Sequence, residues 1–182
     1  MSHIRYTSPF DVEKNISDAY NDEMTRAFSD EYIAFVDRDT IFLDPYYGFK
    51  IAEIVSEHPD CYFTCLTNRT NSRWQRWINN YDDTNNLDIH IEQTQKAWDL
   101  YEHATQDHTH STLWSGHLMI CPKNLWEPLE RRGMLGVDND IHQSAINQGA
   151  RVLLMKGIYM YHYYSNYIGD GGNKQRDKSH LL

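Results

Sequence analysis

The amino-acid sequence predicts an α/β domain with a mostly parallel sheet. Two short apolar runs, "YIAFV" at 32–36 and "CYFTCLT" at 61–67, have the length of strands and the continuous apolar character of strands that are covered on both faces. Segments with helical periodicity lie before and between them. Alternation of strands and helices is typical of α/β folds, in which ligands bind beyond the carboxyl ends of the strands.

The first half of the chain predicts three strands and two helices. Residues 3–8 predict a short first strand, and residues 14–28 predict a helix because apolar side chains recur there every four positions. Pro45 suits the first turn of a second helix, which we expect to extend to about residue 57. The two apolar runs supply the other strands.

The second half is less regular, especially over residues 70–112. Its elements are predicted as a helix at 91–105, a strand at 117–121, a helix at 140–149 and one or two strands at 151–164. Gly149 is suited to the end of the last helix, because glycine readily adopts the left-handed conformation found there.

Length and composition predict one domain over residues 1–168, followed by a flexible tail at 169–182. No run approaches the roughly 18 apolar residues of a membrane span, and the N-terminus lacks the apolar core of a signal peptide, so we expect a cytoplasmic protein. The net charge of -9 argues against a general nucleic-acid binder. The three cysteines are interpreted as small buried apolar residues.

A pair of carboxylates follows the strand at 32–36. Asp37 and Asp39 are two residues apart, so an extended backbone directs both side chains to the same face. Two carboxylates held close together repel each other, and a divalent cation between or beside them removes that repulsion. The alternative is that one aspartate caps the next segment and the other is solvated.

The residues around this pair resemble those of a known enzyme family. The stretch "YIAFVDRDTIFLDP" resembles the metal-binding segment of GT-A glycosyltransferases, which transfer a sugar from a nucleotide diphosphate to an acceptor. Upstream, "KNISDAYNDEM" is similar to the helix that leads into this segment. Downstream, "SGHLMICPKNLWEPL" resembles the acceptor-side strand and loop, and "GMLGVDNDIHQSAINQGARVLLMKGIYMYHYY" resembles the late part of the family.

The resemblance extends over most of residues 14–164 and implies a GT-A-like, Rossmann-like fold that is abbreviated at the N-terminus. It implies that Asp39 binds the metal, Mn²⁺ or Mg²⁺, and that Asp37 reaches the ribose or base of the nucleotide. It also implies that His162 completes the metal site, and imidazole is a suitable ligand for Mn²⁺. The alternative for His162 is a structural histidine packed among tyrosines.

The donor nucleotide is implied to contact residues in the first part of the chain and one arginine. By position in the family pattern these are Thr7, Ser8, Pro9, Asn15 and Asn21. Arg69 follows a predicted strand on the same side and is interpreted as a bidentate phosphate ligand or, alternatively, as part of a surface ion pair.

Asp138 matches the family's general base, which must lie within hydrogen-bond reach of the acceptor hydroxyl. Asp140 is the neighbouring candidate on the acceptor side, with helix capping as its alternative. Val137 stands where the family usually has a glutamate, which is a departure from its pattern. The other acceptor-side residues are predicted to be Trp114, Ser115, Gly116 and His142.

The sequence therefore predicts a metal-dependent glycosyltransferase that moves a sugar from a nucleotide-diphosphate sugar to an acceptor hydroxyl. Two alternatives are a non-catalytic nucleotide- or glycan-binding module of the same fold and a nucleotidyltransferase. The expected partners are the donor and a hydroxyl acceptor of unknown identity, with nucleic acid expected only as an acceptor through a modified base. The sequence assigns no oligomeric state.

Overall fold

The computed structural model describes residues 3–10, 15–77, 84–112, 114–130, 133 and 135–163, and the predicted tail at 169–182 lies outside the described residues. Within these ranges the strands are β1 (Ile4–Thr7), β2 (Tyr32–Val36), β3 (Thr40–Phe42), β4 (Cys61–Thr67), β5 (Thr105–Asp107), β6 (Leu118–Pro122) and β7 (Arg151–His162). The α-helices are α1 (Ile16–Thr25), α2 (Tyr47–Glu57), α3 (Leu87–Tyr101) and α4 (Val137–Asn147).

These strands form one sheet in the order β1-β2-β6-β4-β7-β3, and β5 also pairs with β7. The sheet is mixed, which corrects the prediction of a mostly parallel sheet. The pairs β1–β2 and β4–β7 are parallel, whereas β6 runs antiparallel to both of its neighbours, and β3 and β5 run antiparallel to β7. An apolar run in a sequence indicates burial but not strand direction, so the pattern could not reveal these reversals.

The pairings place several segments at one edge of the sheet. Strands β1, β2, β4 and β7 all run in the same direction, so their carboxyl ends share an edge with the amino ends of β3 and β6. The residues that follow β2 and β4, the last residue of β7 and the residues that precede β6 therefore lie near one another. This is the edge at which α/β sheets bind ligands.

The core lies on both faces of the sheet. Helix α2 packs against one face, where its buried residues Ile51, Ile54 and Val55 join side chains of the central strands. Helices α1 and α4 cover the other face through Tyr20, Met24, Val137, Ile141 and Ala145. All three cysteines are buried and unpaired, which confirms their interpretation as apolar core residues.

Most element boundaries follow from local sequence signals. Strands β2 and β4 begin and end at the predicted residues. Helix α3 starts four residues earlier than predicted because the side chain of Asn86 accepts a hydrogen bond from the backbone of Asp88 and caps it. Gly149 follows α4 with a φ of 71°, as expected for a C-terminal glycine.

Strand β7 is interrupted in the middle by an irregularity that involves a glycine. The register with β4 shifts between Cys65 and Leu66, so that Lys156, Gly157 and Ile158 have no partner in β4. The backbone of Glu102 lies against Gly157, and a Cβ atom there would overlap the Glu102 carbonyl group. Glycine at position 157 allows this close approach.

We expect Gly157→Ala to lower the free energy of unfolding by about 1–3 kcal/mol, because the backbone of Glu102 must move to admit a methyl group. Urea unfolding at constant pH measures this. Gly48→Ala is the matched control, because Gly48 lies in α2 with open space around it, so alanine should stabilise the protein by about 0.5–1 kcal/mol. Equal stability of the Gly157→Ala variant and the unsubstituted protein would show that the contact does not constrain β7.

Candidate metal and donor site

Asp37 and Asp39 lie in the tight turn that joins β2 to β3. The turn is closed by the backbone N–H and the hydroxyl of Thr40, which both donate to the Asp37 carbonyl oxygen, at 3.2 and 2.7 Å. The backbone N–H of Asp37 donates to the carbonyl of His117, just before β6. Both carboxylates are therefore fixed at the edge of the sheet where the strand ends converge.

Strand β7 brings His162 to the same turn. Thr40 pairs with His162 in the β3–β7 ladder, and the backbone N–H of Tyr163 donates to the Asp39 carbonyl at 2.7 Å. The His162 Nε2 atom lies 3.1 Å from Oδ2 of Asp39. Two residues that are 123 positions apart in the sequence thus come together through strand pairing.

The other ring nitrogen of His162 defines what Nε2 can do. Nδ1 lies 2.8 Å from the carbonyl oxygen of Arg69, which can only accept a hydrogen bond, so Nδ1 must carry a proton. In the neutral ring, Nε2 then carries a lone pair that faces a carboxylate oxygen of Asp39. Either a proton or a cation must lie between these two atoms.

Without a metal, the pair is held by a proton. Burial lowers the pKa of His162, but the hydrogen bond and the charge of Asp39 outweigh it and raise the pKa above its ordinary value. The hydrogen bond from His162 in turn lowers the pKa of Asp39. Both pKa shifts favour the imidazolium–carboxylate form of the pair, and a divalent cation would replace the shared proton.

The surroundings of Asp37 disfavour the ionised form of its carboxylate. Burial, and after it the negative charge of Asp39, raises the pKa of Asp37 to about 6, and Asp138 adds to this effect. The charge of His162 acts in the opposite direction. A carboxylate whose ionised form is disfavoured in this way is stabilised when a cation binds nearby.

Asp138 faces the same region from the first turn of α4. Its carboxylate accepts hydrogen bonds from the backbone N–H groups of Asn139, at 2.9 Å, and of Gly116. Burial raises its pKa above the ordinary value, although these hydrogen bonds act to lower it. The Cβ position of Gly116 lies 3.5 Å from the Asp138 side chain, so a glycine at residue 116 leaves space beside the carboxylate.

The loop after β1 lies next to the same turn. Thr7 pairs with Phe35 in the parallel β1–β2 ladder, and the Ser8 hydroxyl donates to the Val36 carbonyl at 2.5 Å. Two residues further on, the exposed ring of Phe10 lies 4.2 Å below the guanidinium of Arg38, the residue between the two aspartates. Ser8 thus contacts the residue that precedes Asp37, Thr7 and Pro9 are its neighbours in the chain, and their role in donor binding stays a prediction.

Three other predicted donor residues have structural contacts. The Asn15 amide donates to Asp18 at the start of α1, and the Asn21 side chain holds the backbone of Leu129 by two hydrogen bonds. The Arg69 side chain is buried, and its charge contributes, after burial, to lowering the pKa of His90. Its backbone carbonyl, and not its guanidinium, contacts His162.

The structure places two predicted acceptor-side residues in the core. Trp114 is completely buried and contacts Tyr62 and His142 edge-on, so its indole offers no free face to a sugar. His142 is also buried, and its Nε2 donates to the Thr109 carbonyl at 2.9 Å. Both were assigned to the site from position alone, and the apolar spacing of α4 turns His142 inwards with Ile141 and Ala145.

The predicted acceptor-side residues Ser115 and Asp140 have different surroundings. The backbone of Ser115 is held by the buried Gln75 amide through bonds of 2.8 and 3.0 Å, which fixes the approach to Gly116. Asp140 lines an open groove of about 490 Å³ between α4 and residues 127–130. Asp138 does not line this groove, and neither do Asp37, Asp39 and His162. Asp140 and Asp138 therefore face different surfaces.

Sequence reasoning missed one residue at this edge, Asn68. Its side chain is almost completely buried and bonds to both the backbone N–H and the carbonyl of His162. The available signal was its position directly after the apolar strand 61–67, where a buried asparagine needs backbone partners.

The donor set at this edge fits a divalent cation. Carboxylate oxygen and imidazole nitrogen suit Mn²⁺, and two protein ligands leave the other coordination positions for phosphate oxygens and water. The described residues contain no cluster of three or more His, Cys, Asp and Glu side chains arranged to bind a metal. Asp39 and His162 therefore supply two of the ligands that a divalent cation needs.

Comparisons with known proteins give no family for this chain, since neither a scan against protein-family models nor a search of curated proteins finds a match. In the described part of the chain, every helix is too short or too polar to span a bilayer.

We expect Asp37→Asn to stabilise the metal-free protein. The folded-state pKa of about 6 lies above the ordinary 3.8, so the folded state holds the proton more tightly, and stability is lost as the pH rises from about 4 to 6. Asparagine avoids this cost, which gives a gain of about 1–3 kcal/mol at pH 8 that shrinks towards pH 4.

Urea unfolding in EDTA at both pH values measures the difference. Asp30→Asn is the control, because Asp30 is exposed, and it should change stability little at either pH. A loss of stability in Asp37→Asn at pH 8 would contradict the electrostatic description of this site.

Proposed function

We propose that this protein is a metal-dependent glycosyltransferase of GT-A type that uses a nucleotide-diphosphate sugar. One observation carries the proposal: Asp39 Oδ2 and His162 Nε2 lie 3.1 Å apart while His162 Nδ1 is committed to the Arg69 carbonyl. This arrangement favours a cation at the ligand-binding edge of an α/β sheet. The resemblance of residues 14–164 to the GT-A family agrees with it.

Asp39 and His162 would hold Mn²⁺ or Mg²⁺, which supplies Lewis-acid stabilisation of the charge that develops on a departing nucleoside diphosphate. The protein contributes the position of both ligands. The β3–β7 ladder fixes the backbones on either side of the pair, and the Arg69 carbonyl fixes the ring of His162. Asp37 adds negative potential beside the same ion.

The nucleoside part of the donor is proposed to lie against the loop after β1. Ser8 and Pro9 adjoin the Asp37 turn, and Phe10 and Arg38 form an exposed stacked pair next to them. Arg38 supplies a positive charge between two carboxylates, where a diphosphate would otherwise meet strong repulsion. The donor would then lie along the edge formed by β1 and β2.

Asp138 is proposed as the base that accepts the proton of the acceptor hydroxyl. It lies at the amino end of α4, its carboxylate is half-buried, and burial raises its pKa towards the range in which a carboxylate is an effective base. Gly116 packs against it without a side chain of its own, with its Cβ position 3.5 Å from the Asp138 side chain. An acceptor would therefore approach between the start of β6 and α4.

We expect Asp39→Ala to abolish the metal-dependent binding of the donor. In the unsubstituted protein, a true donor at a hundredfold excess over its Kd adds about 2.7 kcal/mol of stability, which raises the melting temperature by roughly 5 °C or more. A thermal-shift screen of nucleotide sugars with and without Mn²⁺ measures this. Asp30→Ala, which changes an exposed aspartate, should retain the full shift.

The same screen tests the whole proposal. A shift that needs Mn²⁺ in the unsubstituted protein and is lost in Asp39→Ala supports the metal site, and hydrolysis or transfer of that sugar supports catalysis. Binding without any turnover would instead favour a non-catalytic nucleotide-binding module. A shift that is independent of Mn²⁺ in both proteins would contradict the proposed role of Asp39.

We expect Asp138→Asn to lower kcat for sugar transfer by about 10²–10⁴-fold with little change in donor KM, because a lost general base affects the chemical step. Asp140→Asn is the matched comparison, since Asp140 lies two residues further along α4 and lines a different groove. An equal loss of kcat in both variants would remove the specific assignment to Asp138.

A further inference from the structure

The backbone of His162 is held by the side chain of Asn68, the residue that follows β4. Asn68 is 1% exposed, its Oδ1 accepts from the His162 N–H at 2.7 Å, and its Nδ2 donates to the His162 carbonyl at 3.2 Å. Backbone pairing between β4 and β7 ends two residues earlier, with Thr67 opposite Met160. The Asn68 amide thus takes over the role of the next backbone hydrogen-bond pair.

The next residue holds the imidazole ring. The Arg69 carbonyl accepts from His162 Nδ1 at 2.8 Å. Two consecutive residues after β4 therefore make three hydrogen bonds to His162, two to its backbone and one to its ring. Together they fix the position of the residue and the rotation of its side chain, and Nε2 is directed at Asp39.

A ligand side chain that is held in this way loses less conformational free energy when it binds a metal, because its rotamer and protonation state are set before the ion arrives. Of these three hydrogen bonds, a substitution can remove only the two that the Asn68 side chain makes. The third is made by the backbone carbonyl of Arg69. Loss of the Asn68 amide would free the end of β7 next to the ring.

We propose that Asn68 is a positioning residue for the metal-binding histidine, so that its contribution is to metal affinity and not only to folding. The inference rests on the proposed metal site at Asp39 and His162. A purely structural Asn68 would stabilise the sheet edge without affecting the ion.

The chain contains a matched control for this distinction. Asn21 makes the same pair of hydrogen bonds to the backbone of one residue, Leu129, with both distances at 2.9 Å. It lies in α1, and both polar atoms of its amide bond to Leu129 or to the indole N–H of Trp126, which accounts for Asn21 without the predicted contact to the donor. Removing either amide should lower the melting temperature, but only the change at Asn68 should weaken metal binding.

The test is titration with Mn²⁺ in the presence of excess uridine or guanosine diphosphate, with the manganese that stays with the protein after gel filtration measured by electron paramagnetic resonance. We expect Asn68→Ala to weaken Mn²⁺ binding by about 10–100-fold, as is usual for groups that orient a metal ligand. Asn21→Ala should bind Mn²⁺ with unchanged affinity. Asn68→Ser, a milder change, provides the same comparison if the alanine variant does not fold.

His162→Ala separates the failure of this inference from the failure of the proposed function. If the unsubstituted protein does not bind Mn²⁺ in the presence of the diphosphate, or if His162→Ala binds it equally well, the metal site itself is wrong. If His162→Ala loses affinity but Asn68→Ala and Asn68→Ser do not, the positioning role is overturned. Equal weakening in Asn21→Ala would also overturn it, because general loosening of the fold would then explain the effect.

Discussion

The proposed metal site depends on one constraint: the Nδ1–H of His162 is bound to the carbonyl of Arg69, so its Nε2 must face Asp39 as an acceptor or share a proton with it. A histidine with both nitrogens free could turn away from the carboxylate. Here the β3–β7 ladder holds both backbones, and the ring cannot rotate without losing a hydrogen bond. The sheet edge therefore holds a carboxylate–imidazole pair that is suited to binding a divalent cation.

The sequence predicted the strands whose apolar character is strongest and missed those that lack it. Strands β2 and β4 are continuous apolar runs, so their bounds could be predicted to the residue. Strand β3 has three residues, and β5, "TQD", has no apolar residue, so only their pairing with β7 makes them strands. The antiparallel direction of β6 depends on its tertiary pairing, and no local feature of the sequence indicates it.

Site residues could be predicted from the sequence where a short motif fixes their position at the end of a strand. They could not be predicted where tertiary packing decides whether a side chain is buried or exposed. Asp37 and Asp39 follow a recognisable strand, and His162 ends another, so the shared sheet edge brings them together. Trp114 and His142 were assigned from their places in the sequence, beside Ser115-Gly116 and one helical turn after Asp138, but both side chains are buried in the structure. The Asn68 amide could not be assigned, because its role exists only through its contact with β7.

We propose that a divalent cation binds between Asp39 and His162 when a nucleoside diphosphate is present. Anomalous diffraction from crystals soaked with Mn²⁺ and uridine or guanosine diphosphate measures this most directly. The account predicts a manganese peak within bonding distance of Asp39 Oδ2 and His162 Nε2, with diphosphate oxygens in the remaining positions. Bound nucleotide with no manganese peak between these atoms, and with their hydrogen bond intact, would contradict it.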